Sequence, residues 1–474
     1  MMQNKVRIGL LGVGLDTYWG QFEGFLPRLL AYQEEICAGI EQMDVEVVNV
    51  GIVDSPQKAG ESTLLLKQAD VEFVFLFIST YALSSTVLPV AQQVGKPVIM
   101  LNMQPVPAID YQKVNSMGDR GKMTGEWLAH CQACSVPEFA SVFNRSGIRY
   151  DIITGYLSDQ LAWKEIASWV DAARAVDGMR KNRLGILGHY YCGMLDVYTD
   201  VMQQSAIFGT HVELLEMCEL KAYRDEVTDV DLKRKLNEFY DKFDVETSCE
   251  SDELVRAART SVALDKLVET HRLGAMAYYY EGFNGNDYEN IVTSVIAGNT
   301  LLTGYGIPVA GECEVKNAQA MKIMSLLKAG GSFSEFYAMD FNDDIVMLGH
   351  DGPAHFAIAE EKVKLVPLPL YHGKPGKGLS IQMTVKPGNV TLLSVCEGKD
   401  GVFLLAAEGE SVQGETLHIG NTNSRYRFPC GARRFMDMWS KAGPSHHCAI
   451  GVGHKVSELK KLAFLLNIPI VVIE

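Results

Sequence analysis

The spacing of apolar residues divides this chain into three textures. From the start to about residue 178, unbroken apolar runs alternate with stretches of helical period. "VRIGLLGVG", "VEVVNVGIVD", "VEFVFLFIS" and "PVIML" are the runs, and "FEGFLPRLLAYQEEICAGI" is a representative helical partner. Apolar strands with no polar alternation are buried on both faces, so this pattern predicts a doubly wound parallel sheet. After the basic run "MRKNR" the pattern restarts with "LGILGHYY", a helix through "LDVYTDVMQQSAI", "VELLEM", a long polar helical stretch over residues 222–272 and the strand "GAMAYYY".

Beyond about residue 340 the period changes to two. "DIVMLGH", "KVKLVPL", "LSIQMTVKPGNVTLLSVC", "GVFLLAAEGESV" and "ETLHIG" alternate over short spans, with "KPGN" as a hairpin turn. The pattern predicts a compact antiparallel barrel-like or sandwich domain, closed by a helix at "KVSELKKLAFLLN" and a strand at "IPIVVIE". The expected division is therefore an N-terminal α/β domain over 1–178, a central α/β domain over 179–333 and a C-terminal β-rich domain over 334–474.

Composition narrows the partners. The 474 residues include 43 basic and 58 acidic side chains, a net charge of −15, which disfavours nucleic acid and anionic membrane surfaces. The most apolar stretch is interrupted by Ser, Thr and Tyr, so no membrane span is expected, and the N-terminus lacks the apolar region of a signal peptide. The ten cysteines are scattered, which suits a reducing cytoplasm.

Three local motifs invite chemistry and read more plainly as structure. "GLLGVG" lacks the third glycine of a dinucleotide fingerprint, and the acid ending the second strand, Asp54, comes at about twice the usual distance, which leaves a nicotinamide-dependent oxidoreductase as a weak reading. Cys131 and Cys134 form a single CxxC that falls at the end of a helical segment, whereas a redox pair opens a helix. A lone His350 after a strand is more often structural than a ligand.

Four residues gain meaning together. Glu312 lies where a strand ends and a helix begins. Glu335 lies on an aromatic strand with Phe333 and Tyr337 on its face. His350 ends an apolar strand, and the pair His446 and His447 starts another. On a strand, neighbours point to opposite faces, so at most one of the pair is expected to face any given site. Two carboxylates and two imidazoles suit Mn²⁺ or a similar first-row ion, with two positions left for a bidentate oxygen substrate.

The same stretches carry a resemblance. "YGIPVAGECEVKNAQAMKIM", "GGSFSEFYAMDF", "DIVMLGH" and "GPSHHCAIGVGH" are similar, in order and nearly in spacing, to segments of the L-arabinose isomerase family. The resemblance implies two α/β domains and a C-terminal β domain, cytoplasmic aldose–ketose isomerisation of a sugar, and Mn²⁺ or another divalent first-row metal held by Glu312, Glu335, His350 and His447. Glu312 and Glu335 would be the catalytic acid and base, Tyr18 and Tyr280 would touch the sugar, and the chain would form a trimer or hexamer. Three departures accompany it. The family's substrate-binding Gln falls at Leu15, a family segment whose His reaches a neighbouring subunit aligns with a stretch holding Arg145, Ser146 and Arg149, and the chain stops at Glu474 where the family continues. The implied metal set is thus retained while the implied sugar contacts are altered, so the sugar is a pentose or a related one. A sugar-binding protein without catalysis, built on the same fold, is the alternative.

Overall fold

The computed structural model describes residues 5–281, 285–369 and 376–474. The chain divides into two compact units, Met1–Asp177 and Gly178–Glu474. In the first unit the apolar runs become strands β1 (Arg7–Val13), β2 (Glu46–Val53), β3 (Val74–Ile78), β4 (Val98–Gln104) and β5 (Tyr150–Tyr156). They pair in parallel in the order β2-β1-β3-β4-β5. All five residues of β3 are buried, as a strand covered on both faces requires.

The glycines after β1 serve this unit's own packing. A Cβ on Gly12 would lie 2.1 Å from Gln33 Oε1, and one on Gly14 would lie 2.8 Å from the Trp19 ring. Asp54, which follows β2, accepts from the Trp19 indole N–H at 2.8 Å and from Lys58 at 2.7 Å. This carboxylate is thereby engaged by its own chain, and the segment is a strand-to-helix turn. The CxxC does not close a helical segment in the expected way: Cys131 immediately precedes the helix Gln132–Ser146.

The second unit begins with another parallel sheet. Strands β6 (Arg183–Gly188), β7 (His211–Leu215), β8 (Asp244–Val245), β9 (Ala275–Tyr279) and β10 (Val309–Ala310) follow in the chain, and four of them pair in the order β10-β9-β6-β7. The long polar stretch is not one helix. It is three, Met217–Asp225, Asp229–Lys242 and Ser251–His271. A capping box between Thr228 and Asp231 starts the second, and β8 separates it from the third.

The remaining strands are β11 (Gly330–Asp340), β12 (Ile345–His350), β13 (Lys364–Leu368), β14 (Gly378–Gln382), β15 (Gly388–Gly398), β16 (Gly401–Val412), β17 (Thr422–Arg427), β18 (His447–Val452) and β19 (Ile470–Ile473). Seven of these form a mostly antiparallel sheet in the order β15-β18-β11-β12-β17-β16-β19, and β15 also pairs with β16. The pairing therefore runs round to its starting strand, which makes the sheet barrel-like and removes most free edges. Strand β19 is the exception in direction, parallel to β16.

One turn expectation and one strand expectation are corrected. "KPGN" does not make a hairpin: β14 before it pairs with β13, which in turn pairs with β8, in a separate three-stranded sheet, while β15 after it belongs to the large one. The tight hairpin lies instead at Gly398–Gly401, where two glycines face each other across the β15–β16 ladder. "ETLHIG" is irregular, because the chain there connects β16 to β17. No helix among the described residues is long and apolar enough to cross a membrane.

Close backbone contact at one glycine supports the end of β12. A Cβ on Gly349 would lie 1.9 Å from the Thr422 carbonyl oxygen and 2.8 Å from Asn423 Cα, both on the neighbouring β17 backbone. Replacing Gly349→Ala is expected to lower the unfolding free energy in urea by about 2–4 kcal/mol, since neither strand can retreat without breaking ladder hydrogen bonds. Unchanged stability would contradict this contact.

Candidate metal centre

The site is built where the second parallel sheet ends and the large antiparallel sheet begins. Strand β10 stops at Ala310, and after Gly311 the chain turns through Glu312 and Cys313, both in the left-handed region at φ 55° and 59°. Glu314 then precedes the helix Val315–Leu326. Two consecutive non-glycine residues at positive φ are unusual and mark a turn held by its surroundings.

Strand β11 lies between β12 and β18. Its Glu335 is registered opposite Gly349 of β12 and opposite His447 of β18. Facing residues of an antiparallel pair project to the same side, so Glu335 and His447 share a face. Phe333, two residues earlier on that face, is fully buried, with its ring 4.5 Å from that of His350 and 4.3 Å from that of His447. The phenyl ring thereby spaces the two imidazoles, whose centroids are 5.2 Å apart.

Glu312, Glu335, His350 and His447 are brought together in two overlapping groups. Ligand atoms of Glu312, His350 and His447 lie within 4.8 Å of one another, and so do those of Glu335, His446 and His447. Three buried atoms here, Glu312 Oε2, His350 Nδ1 and His447 Nε2, have no hydrogen-bond partner among the described residues. Leaving buried polar atoms unpaired is unfavourable, and three in one place point to a group that they receive. One carboxylate oxygen and two imidazole nitrogens are a donor set that fits a divalent first-row ion.

Electrostatics agree with that fit. Burial holds the His350 imidazole well below its ordinary pKa, helped by His447 and His446 nearby, so its ring is neutral and a lone pair is free. Burial raises the Glu335 carboxyl. His447 and His446 oppose the shift, and Glu312 and Asp351 reinforce it.

Two residues shape this geometry beyond the expected ligands, one absent from the sequence reading and one expected to face away. Glu314, 1 % exposed, accepts from His447 Nδ1 at 2.5 Å. That bond holds the His447 proton on Nδ1 and leaves Nε2 as the bare nitrogen facing Glu312 at 3.5 Å. Glu314 stands at a helix start, where a carboxylate is unremarkable, and its only sequence signal is its position two residues after Glu312.

The second is His446. The expectation that only one of the pair faces the site is corrected, because β18 begins at His447 and His446 lies in the preceding bend, where strand alternation does not apply. The two rings are 3.8 Å apart, and His446 Nε2 also comes within 3.5 Å of Glu312 Oε2. On its other side His446 Nδ1 bonds Asp196 Oδ2 at 2.6 Å, and its backbone N–H donates to the same oxygen.

A cavity of roughly 180 Å³ opens beside these groups, lined among others by Glu312, Glu335, His350, Tyr191, Tyr279 and Asn299. Tyr280 is not among its lining residues. Its ring packs 5.7 Å from His189 and 5.5 Å from Tyr288. Tyr18 belongs to the first unit, on a short turn at Asp16–Tyr18, where it packs edge-on to Phe22 and Phe25.

The His446 environment yields a titration prediction. Burial alone would lower its pKa, but the Glu312 and Asp196 carboxylates outweigh burial and raise it to about 9. An unfolded histidine titrates near pH ~6.5. The folded state thus holds the proton more tightly, and the stability this adds is fully present below pH ~6.5 and lost as pH rises through about 9. In chelator-treated protein an NMR titration of the ring is expected to show a midpoint near 9, and Asp196→Asn to move it back towards 6.5. A wild-type midpoint at or below 6.5 would contradict this pairing.

Comparison with known proteins matches this architecture to one family. The model of the L-arabinose isomerase central domain matches residues 198–330, and that of the L-arabinose isomerase C-terminal domain matches residues 330–469. Similar proteins include the L-arabinose isomerase of Nocardioides sp. (strain ATCC BAA-499 / JS614), 23% identical over 393 residues, spanning 80% of this chain and 76% of that one. That of Klebsiella pneumoniae (strain 342) is 22% identical over 353 residues, 71% of this chain and 69% of its own. That of Leuconostoc mesenteroides subsp. mesenteroides is 19% identical over 448 residues, 90% and 89% of the two chains. The two family models together take in residues 198–469, more than half of the chain and with it Glu312, Glu335, His350 and His447, so this protein belongs to the L-arabinose isomerase family as a divergent member.

Proposed function

We propose that the protein is a metal-dependent aldose–ketose isomerase acting on a pentose or a related sugar, with Glu312, Glu335, His350 and His447 as ligands of Mn²⁺ or another divalent first-row ion. The single observation that supports this most is the convergence of three buried, unpartnered donor atoms on Glu312, His350 and His447. Such an ion, when bound, supplies Lewis acidity that polarises a carbonyl and its neighbouring hydroxyl.

The chain's own residues account for the proton. Interconverting an aldose and a ketose removes a proton from C2 and returns one to C1 through a cis-enediol. Glu312 and Glu335 are the carboxylates placed to exchange it. Burial raises the Glu335 carboxyl, and a bound cation would oppose that shift, so both carboxylates are retained as the acid and base pair. Asn299, 2 % exposed and with Oδ1 unpartnered among the described residues, offers an acceptor for a sugar hydroxyl in the same cavity. Tyr18 and Tyr280 remain sugar contacts in this reading, and the functional form is a cytoplasmic homo-oligomer, a trimer or hexamer.

Three outcomes test the reading. Glu312→Gln and His447→Ala are each expected to remove isomerase activity and bound metal together, measured by turnover and by elemental analysis of the purified variants. Wild-type turnover by either would overturn it. Glu314→Gln is expected to weaken Mn²⁺ binding by about 10- to 100-fold in calorimetry while excess Mn²⁺ restores turnover, because Glu314 orients a ligand without being one. Across pentoses and hexoses supplied with Mn²⁺, turnover of at least one pentose or close relative is expected; binding that persists in chelator without turnover would favour a sugar-binding protein instead.

A further inference from the structure

Cys131 and Cys134 lie in the first unit and take no part in the chemistry above. The helix Arg120–Leu128 ends just before them, Cys131 is the residue before the helix Gln132–Ser146, and Cys134 falls in that helix's first turn. Their Sγ atoms are 2.8 Å apart, in direct contact, against a bonded distance of about 2.05 Å.

Their surroundings differ. Cys131 is 2 % exposed and belongs to an apolar cluster with Phe25, Leu29, Ile52 and Leu128, against which Tyr18 packs. Cys134 is exposed to solvent. Burial, together with contact with Cys134, pushes the Cys131 thiol up to about 12, so it stays protonated in the resting dithiol. One sulfur is thus open to reagents, and the other waits beside it in a dry position.

We propose that Cys131 and Cys134 form a reversible dithiol–disulfide site whose reactant is a low-molecular-weight disulfide such as oxidised glutathione. The Cys134 thiolate attacks one sulfur of that disulfide, forming a mixed disulfide and releasing one small thiolate. Cys131 gives its proton to the released thiolate and attacks Cys134 Sγ, expelling the second small thiolate, which takes a proton from water. The two protein thiols lose two electrons and two protons, and the small disulfide gains both to become two thiols. Excess reduced thiol runs the steps backwards. The buried, protonated resolving sulfur makes the second step the slower one.

The test uses the whole purified protein, equilibrated without air in mixtures of reduced and oxidised glutathione, quenched by alkylation and read by peptide mass spectrometry. Wild type is expected to pass, in one two-electron transition, from two alkylated thiols to a peptide two hydrogens lighter that resists alkylation. Cys131→Ala is expected to accumulate a glutathione adduct on Cys134, because no thiol remains to displace it. Cys134→Ser, a near-isosteric change at an exposed position, is expected to show neither product. The proposal is overturned if both thiols stay open to alkylation while the exposed Cys192 and Cys218 take up glutathione. It is equally overturned if wild type stops at the adduct. None of these readouts depends on the isomerase reading.

Discussion

The hydrogen bond from His447 Nδ1 to Glu314 is the interaction on which the candidate centre depends. It ties the first residue of β18 to the start of the helix Val315–Leu326, and so joins the large antiparallel sheet to the crossover leaving the second parallel sheet. Both groups are buried, so the bond is made in a low dielectric where losing one partner strands the other. With the Nδ1 proton committed, Nε2 is directed at Glu312, and Phe333 beneath the ring limits its rotation. The left-handed turn at Glu312 and Cys313 serves the same end from the other side, by bringing Glu312 back towards the antiparallel sheet.

Charge is graded around that bond. His350 is kept neutral by burial, Glu314 accepts a hydrogen bond from His447 Nδ1, and His446 carries a proton between Asp196 and Glu312. The pocket therefore satisfies part of its charge internally, while His350 Nδ1 and His447 Nε2 have no hydrogen-bond partner among the described residues. The pairing of His446 with Glu312 is long at 3.5 Å, which suits a contact that yields when a stronger partner arrives for the carboxylate.

Much of the fold was legible in the sequence because two periods carry it. Unbroken apolar runs marked β1, β3, β4 and β9, and short strands set off by Gly and Pro turns marked β12, β15 and β16, although β12 and the middle of β15 are buried on both faces rather than on alternate residues. What failed was local. "KPGN" has turn chemistry, but which strands a turn joins is decided by pairing partners far away, and β14 pairs with β13 rather than β15. The residues that converge here were singled out by their types at strand ends and by family likeness, whereas Glu314 was missed and His446 was expected to face away. Glu314 at a helix start is indistinguishable from a capping carboxylate until a buried imidazole is seen beside it. His446 was assigned to the wrong face because the strand was taken to begin one residue early.

The central claim is that Glu312, His350 and His447 converge to hold one divalent ion. Anomalous diffraction from crystals grown with Mn²⁺, recorded on both sides of the manganese edge, tests it most directly. One peak per chain, at a coordination distance of about 2–2.5 Å from Glu312 Oε2 and a nitrogen of each of His350 and His447, is the predicted result. A peak elsewhere in the chain, or none at saturating Mn²⁺, would contradict it.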